Sequence, residues 1–165
     1  MQTLEINGWK IFFHQCFMDQ INDLGEAVLK LKETDPTGYT QKAPTKLLAA
    51  IWRVVEERIA SNPLDPQFRQ GDTLGADYKH WFRAKLLQQF RLFFRCSERN
   101  KAIVIGWVND FDTLRAYGSK TDAYKVFATK LKAGDPPDSW EELLKEAQNT
   151  TSKIVPTSNP GFLRP

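Results

Sequence analysis

The sequence predicts an α+β fold, in which a small antiparallel sheet with mixed pairing at its edge packs against N-terminal helices and carries additional C-terminal helices. Apolar residues recur every three or four positions in the first third of the chain, which is typical of amphipathic helices. Three runs of β-branched and aromatic residues follow one another between residues 81 and 108, as in a strand meander. A length of 165 residues suits one domain, which we place at residues 1–149.

The first elements are a strand and a helix. Alternating side chains at residues 9–13 follow the turn-forming pair Asn7-Gly8 and indicate a strand. Apolar residues from Phe17 to Leu31 then recur at spacings of four and three, so they predict an amphipathic helix.

A second helix, a loop and the meander come next. The helix is predicted to begin near Pro44, a residue that suits a first helical turn, and to continue to Ile59. A connecting loop rich in proline and glycine follows at residues 62–78. The predicted strands are 81–88, 90–96 and 102–108. Since the last of these is almost continuously apolar, we expect it to be central and covered on both faces.

Two helices and a tail complete the prediction. Apolar positions at 124–131 indicate a helix that is closed by Gly134. Ser139 and Glu142 have the spacing of a capping box that opens a further helix. Residues 150–165 are rich in Pro, Ser, Thr and Asn, and we predict that they form a flexible tail.

Composition excludes several classes of protein. No apolar run approaches the roughly 20 residues that span a bilayer, and the N-terminal residues lack the pattern of a signal peptide, so we expect a cytoplasmic protein with no membrane partner. Cys16 and Cys96 match no metal-ligand spacing and are interpreted as reduced structural cysteines. With two histidines in the chain, we expect no metal and no cofactor.

Positive charge is concentrated in residues 79–101. This basic segment holds seven Lys or Arg and one Glu, a net charge of +6, whereas the whole chain carries +3 and the remainder therefore −3. Its cations are interleaved with aromatic residues, a combination that suits a phosphate backbone with stackable bases. The alternative is a solvated strand face whose charges serve only solubility.

Strand alternation divides the basic segment between two faces. Arg83 and Lys85 share one face of their strand, and Arg91, Phe93 and Arg95 share one face of the next. We therefore expect four cations to converge on an exposed sheet face. The opposite face is predicted to be the core face and comprises Phe90, Leu92, Phe94 and Cys96.

The loop at residues 109–120 begins where the last strand ends, a position where functional residues concentrate. It carries Asn109, Arg115, Tyr117 and Lys120. In a purely structural interpretation, Asp112 caps a helix and pairs with Arg115, which leaves Asn109 and Lys120 without a role.

Residues 79–127 resemble the YhaV-type toxins of bacterial type II toxin–antitoxin systems, which belong to the RelE-like ribonuclease group. The resemblance rests on the Arg-Leu-Phe-Phe-Arg strand (91–95), the Gly-Trp-Val-Asn-Asp segment (106–110) and the string from Thr113 to Phe127, and it extends to residues 7–9 and 43–48. It implies a RelE-like fold and an mRNA-cleaving toxin that inhibits translation and growth.

The same resemblance implies partners. They are RNA, with mRNA on the ribosome as one form of it, and a cognate antitoxin that resembles PrlF-type swapped-hairpin DNA-binding proteins. Operator DNA is then bound only through the toxin–antitoxin complex. The sequence alone leaves two alternatives open: a non-catalytic RNA- or ribosome-binding module, and a DNA-binding co-repressor that acts only in complex with its antitoxin.

Metal-free RNA cleavage by the ribose 2′-OH needs a base, cations for the transition state and an acid for the leaving oxygen. By analogy with RelE-like enzymes, Lys85 is the candidate base and Arg91 stabilises the transition state. Arg115 is the second arginine, which clamps the phosphate or protonates the leaving group. Tyr117 stacks on a base or joins proton transfer. His80 is the rival base, because imidazole titrates near neutral pH.

Four further residues are predicted to bind the substrate rather than to react with it. They lie on the basic strands and in the loop that follows them, and they are Arg83, Arg95, Asn109 and Lys120.

Overall fold

The protein has an α+β architecture, as predicted. The structure, a computed structural model, describes residues 4–154 and within that range contains one five-stranded sheet and four α-helices. The elements in chain order are β1 (Leu4–Ile6), β2 (Trp9–Phe13), α1 (Gln15–Thr34), α2 (Ala43–Arg53), β3 (Phe82–Leu86), β4 (Phe90–Ser97), β5 (Ala102–Val108), α3 (Ala123–Lys132) and α4 (Trp140–Ile154).

The sheet is mixed and has the strand order β1-β2-β5-β4-β3. Strands β3, β4 and β5 form the predicted antiparallel meander, whereas β2 pairs with β5 in parallel. The parallel pair lies inside the sheet and not at its edge, because β1 occupies the edge. The short β1 was not predicted as a strand. It arises because Asn7 and Gly8 have φ values of 55° and 81°, which make the tight turn that pairs Ile6 with Trp9.

Helices cover both faces of the sheet. Helices α1 and α2 pack on one face through residues such as Phe17 and Ile51, and α3 and α4 pack on the other through Phe127 and Leu143. Strand β5 is buried at every position from Ala102 to Val108 and is the third of the five strands. The prediction of a central strand covered on both faces is therefore confirmed.

The expectation of an exposed basic face is wrong. Phe93 lies between the basic residues of β4 and is fully buried, because α3 packs on it with ring centroids 4.3 Å apart at Phe127 and 5.5 Å apart at Tyr124. Arg91 is only 8% exposed for the same reason. The basic residues of β3 and β4 lie beneath and beside a helix and do not form an open surface.

Two predicted boundaries differ in the structure. The second helix is α-helical only to Arg53 and continues to Ile59 with a wider, π-type hydrogen-bonding pattern. Helix α4 covers 150–154, the first residues of the predicted tail, because the buried Thr151 accepts a hydrogen bond from the Phe13 backbone N–H at 2.9 Å. The rest of the tail prediction, residues 155–165, lies outside the described residues.

A membrane-spanning helix is absent from residues 4–154, where every helix is either too short or too polar to cross a bilayer.

Candidate active site

Three arginines surround the side chain of Tyr124. The Nε atoms of Arg83 and Arg91 both donate hydrogen bonds to the Tyr124 hydroxyl oxygen, at 3.0 Å and 3.2 Å. The guanidinium group of Arg115 lies over the face of the same ring, 4.8 Å from its centroid. We call these four residues the arginine–tyrosine cluster. It brings together three of the predicted site residues and one residue, Tyr124, that was predicted only as an apolar helix position.

Strand register explains why two of the arginines meet. On the antiparallel pair β3–β4, Arg83 lies opposite Phe93 and Lys85 lies opposite Arg91, so all these side chains emerge on one face of the sheet. On the helix-covered face, these polar side chains therefore lie together near the β3–β4 turn. Tyr124 reaches them from the first turn of α3.

Asp122 positions the third arginine. Its carboxylate accepts from Arg115 Nη1 at 2.6 Å and from the backbone N–H of Ala116 at 2.7 Å. It also caps α3 by accepting from the backbone N–H of Tyr124 at 3.1 Å. One buried carboxylate thus fixes both the loop that carries Arg115 and the helix that carries Tyr124. The structural interpretation that assigned these roles to Asp112 is corrected accordingly.

Asn109 lies beneath the cluster. It is 1% exposed, and its side-chain oxygen accepts from the Arg91 backbone N–H at 2.7 Å. Its amide nitrogen donates to the backbone oxygens of Gln89 and Thr113, at 3.0 Å and 2.7 Å. Both amide hydrogens are used, so Asn109 joins the end of β4 to the loop and presents no free donor to solvent.

The cluster carries an excess of positive charge. Its three guanidinium groups face one carboxylate, that of Asp122, and Lys85 adds a further cation from an exposed position opposite Arg91. Directly opposed residues on antiparallel strands have Cβ atoms about 5 Å apart, so the lysine borders the cluster. Such a group of donors and charges can bind a phosphate and stabilise the extra negative charge of its transition state.

Arg95 and His80 form a second group. Arg95 is four residues from Arg91 along β4, a separation of about 13 Å. Its guanidinium lies 5.8 Å and 5.6 Å from the ring centroids of Trp81 and Trp140, and burial lowers its pKa. His80 Nε2 contacts the Asp138 carboxylate at 2.7 Å. The structure therefore does not bring these two predicted residues to the arginine–tyrosine cluster.

Tyr117 and Lys120 project from the loop. Tyr117 is 94% exposed, and the Arg115 guanidinium lies 5.5 Å from its ring centroid. Lys120 is also exposed. A cavity of about 360 Å³ separates Tyr117 from Tyr124 and α3.

Two residues of the site, Tyr124 and Asp122, were missed from sequence. The available signal for Tyr124 was chemical, because a buried tyrosine hydroxyl needs a hydrogen-bond partner and the basic strands supply donors. The signal for Asp122 was its position immediately before a predicted helix, where aspartate is a preferred cap.

Within residues 4–154, one group of side chains has the composition of a metal site: His14, Cys16 and Asp135, whose ligand atoms lie within 4.8 Å of one another. His14 Nδ1 already accepts from the Cys16 backbone N–H, and Nε2 contacts Glu146. Burial and a hydrogen bond to Asp135 raise the pKa of Cys16 to about 12, which keeps the thiol protonated. These contacts join the start of α1 to Asp135, which follows α3, and to Glu146 of α4.

Known proteins resemble this chain over most of its length. Residues 11–148 match the Toxin_YhaV family, described as a toxin with endonuclease activity, of toxin–antitoxin system. The chain is 48% identical over 147 residues to "Ribonuclease toxin YhaV" of Escherichia coli strain K12, which covers 88% of this chain and 96% of the relative. "Toxin YhaV" of Escherichia coli O157:H7 has the same identity and coverage. No solved structure matches the chain. The family match and these relatives confirm the resemblance found in the sequence: the chain belongs to the Toxin_YhaV family of endonuclease toxins.

Proposed function

We propose that this protein is the ribonuclease toxin of a type II toxin–antitoxin system and that it cleaves mRNA by attack of a ribose 2′-OH on the adjacent phosphate. The observation that carries the proposal is the convergence of Arg83 and Arg91 on one tyrosine hydroxyl, with Arg115 over the same ring. A phosphate bound here would meet three guanidinium groups held in fixed directions, and fixed cations lower the barrier to phosphoryl chemistry.

Lys85 is the candidate general base. It is exposed at the border of the cluster, opposite Arg91 on the neighbouring strand. In the proposed step Lys85 reacts from its uncharged amine form, which takes the proton of the 2′-OH and becomes the ammonium. The 2′ oxygen bonds to phosphorus, and the bond from phosphorus to the 5′ oxygen breaks. The products are a 2′,3′-cyclic phosphate and a 5′-OH.

Tyr124 is the candidate general acid. Its oxygen accepts two hydrogen bonds from arginines, so its own O–H is free to donate to the departing 5′ oxygen. The phenolate that remains would be stabilised by the same two guanidinium groups. Arg91 and Arg115 hold the phosphate, while Asn109 acts as a positioning residue through the backbone of Arg91. Tyr117, at the edge of the cavity, supplies a ring for a base.

The remaining predicted residues extend the RNA path. Arg95 lies about 13 Å from Arg91 along β4. His80 precedes β3 and shares with Arg95 a contact with Asp138, so in this proposal both contact the RNA backbone beyond the cleaved phosphate. Lys120 serves the same purpose on the loop. His80 remains the rival base, and substitution separates the two: the first-order rate of cleavage should fall by at least 100-fold in Lys85→Ala and by less than 10-fold in His80→Ala.

The cellular role follows from this chemistry. We propose that cleavage of mRNA in the cytoplasm inhibits translation and growth, and that a PrlF-type antitoxin neutralises the toxin and binds operator DNA in complex with it. We also place the chain in the RelE-like ribonuclease group, on the basis of its mixed sheet and its arginine–tyrosine chemistry.

The test uses a purified toxin and an end-labelled RNA, with and without ribosomes. Wild type is expected to produce fragments that end in a 2′,3′-cyclic phosphate, and a single 2′-deoxy substitution at the cleaved position should abolish that cut. Arg91→Ala should remove the activity, whereas Arg69→Ala, an exposed arginine outside the cluster, should keep it. If the wild type binds RNA but never cuts it in either setting, the protein is a binding module and the enzymatic proposal is wrong.

A further inference from the structure

The cavity beside the arginine–tyrosine cluster has the size and the walls of a site for one flat ring system. It measures about 360 Å³ and is bounded by the 73–75 turn, the 115–119 loop and the start of α3. This volume is at the lower end of the range for small-ligand pockets. Arg115 and Tyr124 belong both to the cavity wall and to the cluster, so a ligand bound in the cavity would adjoin a phosphate bound at the cluster.

The walls of the cavity are suited to stacking. Leu74 and Ala128 supply apolar surface, and the turn at Gly75 supplies bare backbone, with φ at +96°. Tyr117 stands at the rim with 94% of its surface exposed. An exposed aromatic ring beside a cation, here Arg115, is the usual platform on which an unpaired base stacks.

Most polar groups of the wall are already satisfied. Asp122 accepts from three donors. The Thr73 hydroxyl donates to Gln70, and the Ser119 hydroxyl accepts from the Thr121 backbone. These side chains already have hydrogen-bond partners within the protein, so we do not assign them a role in recognising a ligand.

The side-chain groups that remain free are mostly donors. In the described part of the chain, the ammonium of Lys125 and the hydroxyl of Tyr117 have no hydrogen-bonding partner, and Arg115 uses only Nη1. A wall with free cations and no free carboxylate favours a base that presents carbonyl oxygens. On the edge that faces the major groove of a duplex, guanine carries the carbonyl oxygen O6 beside N7 and uracil carries O4. Adenine shares N7 with guanine, but adenine and cytosine carry an amino donor where guanine and uracil carry the carbonyl oxygen.

We propose that this cavity binds one unpaired guanine or uracil base adjacent to the cleaved phosphate, with Tyr117 stacked on the base and Lys125 donating to its carbonyl oxygen. The inference rests on the proposed RNA cleavage, and it adds the base class that the site selects. In this arrangement Tyr117 acts through its ring and not through its hydroxyl.

The test measures binding and cleavage separately. For cleavage, four short oligonucleotides each carry a single ribose at the cleavage position and differ only in the base beside it. For binding, four matched strands with deoxyribose at that position cannot be cut, and their affinity is measured by fluorescence anisotropy. Wild type should favour guanine or uracil in both assays. Tyr117→Ala should weaken binding about 5- to 100-fold, the range produced by loss of one base–aromatic stack, whereas Tyr117→Phe should stay within about twofold of wild type.

Lys125→Ala should reduce the preference for guanine or uracil by about 10-fold, a value typical of one lost base contact, while Lys132→Ala at the far end of α3 should not change it. Two results would overturn the inference: an unchanged base preference in Lys125→Ala, or equal loss in Tyr117→Phe and Tyr117→Ala. If the wild type cuts none of the RNAs, the proposed cleavage fails, and the anisotropy series still decides whether the cavity selects a base.

Discussion

Replacement of Tyr124 by phenylalanine removes one oxygen and leaves the ring in place. The change deletes the acceptor shared by Arg83 and Arg91, whereas the edge-to-face contact with Phe93 and the contact with the Arg115 guanidinium do not need the hydroxyl. The substitution therefore isolates the hydrogen bonds of the cluster from its packing.

The loss of stability can be worked out from burial. Arg91 is 8% exposed, so its Nε–H would be left unsatisfied at a cost of about 1–3 kcal/mol. Arg83 is half-buried and keeps its Nη1 bond to the Gln67 backbone oxygen at 2.8 Å, so water can replace the lost partner. We expect a decrease of about 2 kcal/mol in the free energy of unfolding, a shift of about 4–8 °C in Tm for a chain of this size.

The loss of activity should be larger than the loss of stability. A general acid contributes about 10²–10⁴-fold to the rate, so single-turnover cleavage by Tyr124→Phe should fall by that factor at a temperature where the variant is folded. Tyr39→Phe, in the turn before α2, is the matched control and should change neither quantity. Urea denaturation and labelled-RNA cleavage measure the two effects.

A sulfur substitution in the RNA tests the assigned role directly. When sulfur replaces the departing 5′ oxygen, the leaving group needs no proton, so the defect of Tyr124→Phe should largely disappear. A folded variant that cuts ordinary RNA at the wild-type rate would refute the assignment. A defect of equal size on both RNAs would show that the hydroxyl only positions the arginines.

Three other perturbations have definite expected outcomes. Gly106→Ala should lower the free energy of unfolding by about 1–3 kcal/mol in urea, because the added Cβ would lie 2.7 Å from the Trp81 ring. Asn109→Asp should lower the free energy of unfolding by at least about 2 kcal/mol, since a carboxylate oxygen would replace an N–H donor that faces two backbone oxygens. A Tm equal to that of wild type, measured by circular dichroism, would contradict this. Burial raises the pKa of Cys16 from about 9 to about 12, so the unfolded thiol ionises first and stability should fall between pH 9 and 12, by up to about 1.4 kcal/mol per pH unit. Cys16→Ala should flatten that part of the stability profile.

Much of the fold was predictable because it depends on local patterns. The spacing of apolar residues predicted α1, and the continuous apolar run of β5 predicted both the strand and its central position in the sheet. The parallel pairing of β2 with β5 was not predictable in the same way. It joins Ile11 to Ile103, and no local signal marks which strand a distant segment will meet.

Only part of the site was predicted, because strand alternation shows which residues share a face but not which element packs on that face. Alternation placed Arg83 and Arg91 on one face, and the structure brings them together at Tyr124. Alternation could not indicate that a helix covers this face, and so Tyr124 was interpreted as an apolar helix position. The sequence presented one basic segment, but Arg91 and Arg95 are far apart along β4. The basic residues therefore form two separate groups, one around Tyr124 and one around Asp138.

The parallel pair β2–β5 has a consequence for synthesis of the protein. Ile11 cannot meet Ile103 until more than half of the chain has been made, and at typical rates of elongation that interval is roughly 5 to 20 seconds. The arginine–tyrosine cluster is completed later still, when Tyr124 emerges. We therefore expect a nascent chain to have no endonuclease activity until this last step, because its arginines lack their shared tyrosine before it.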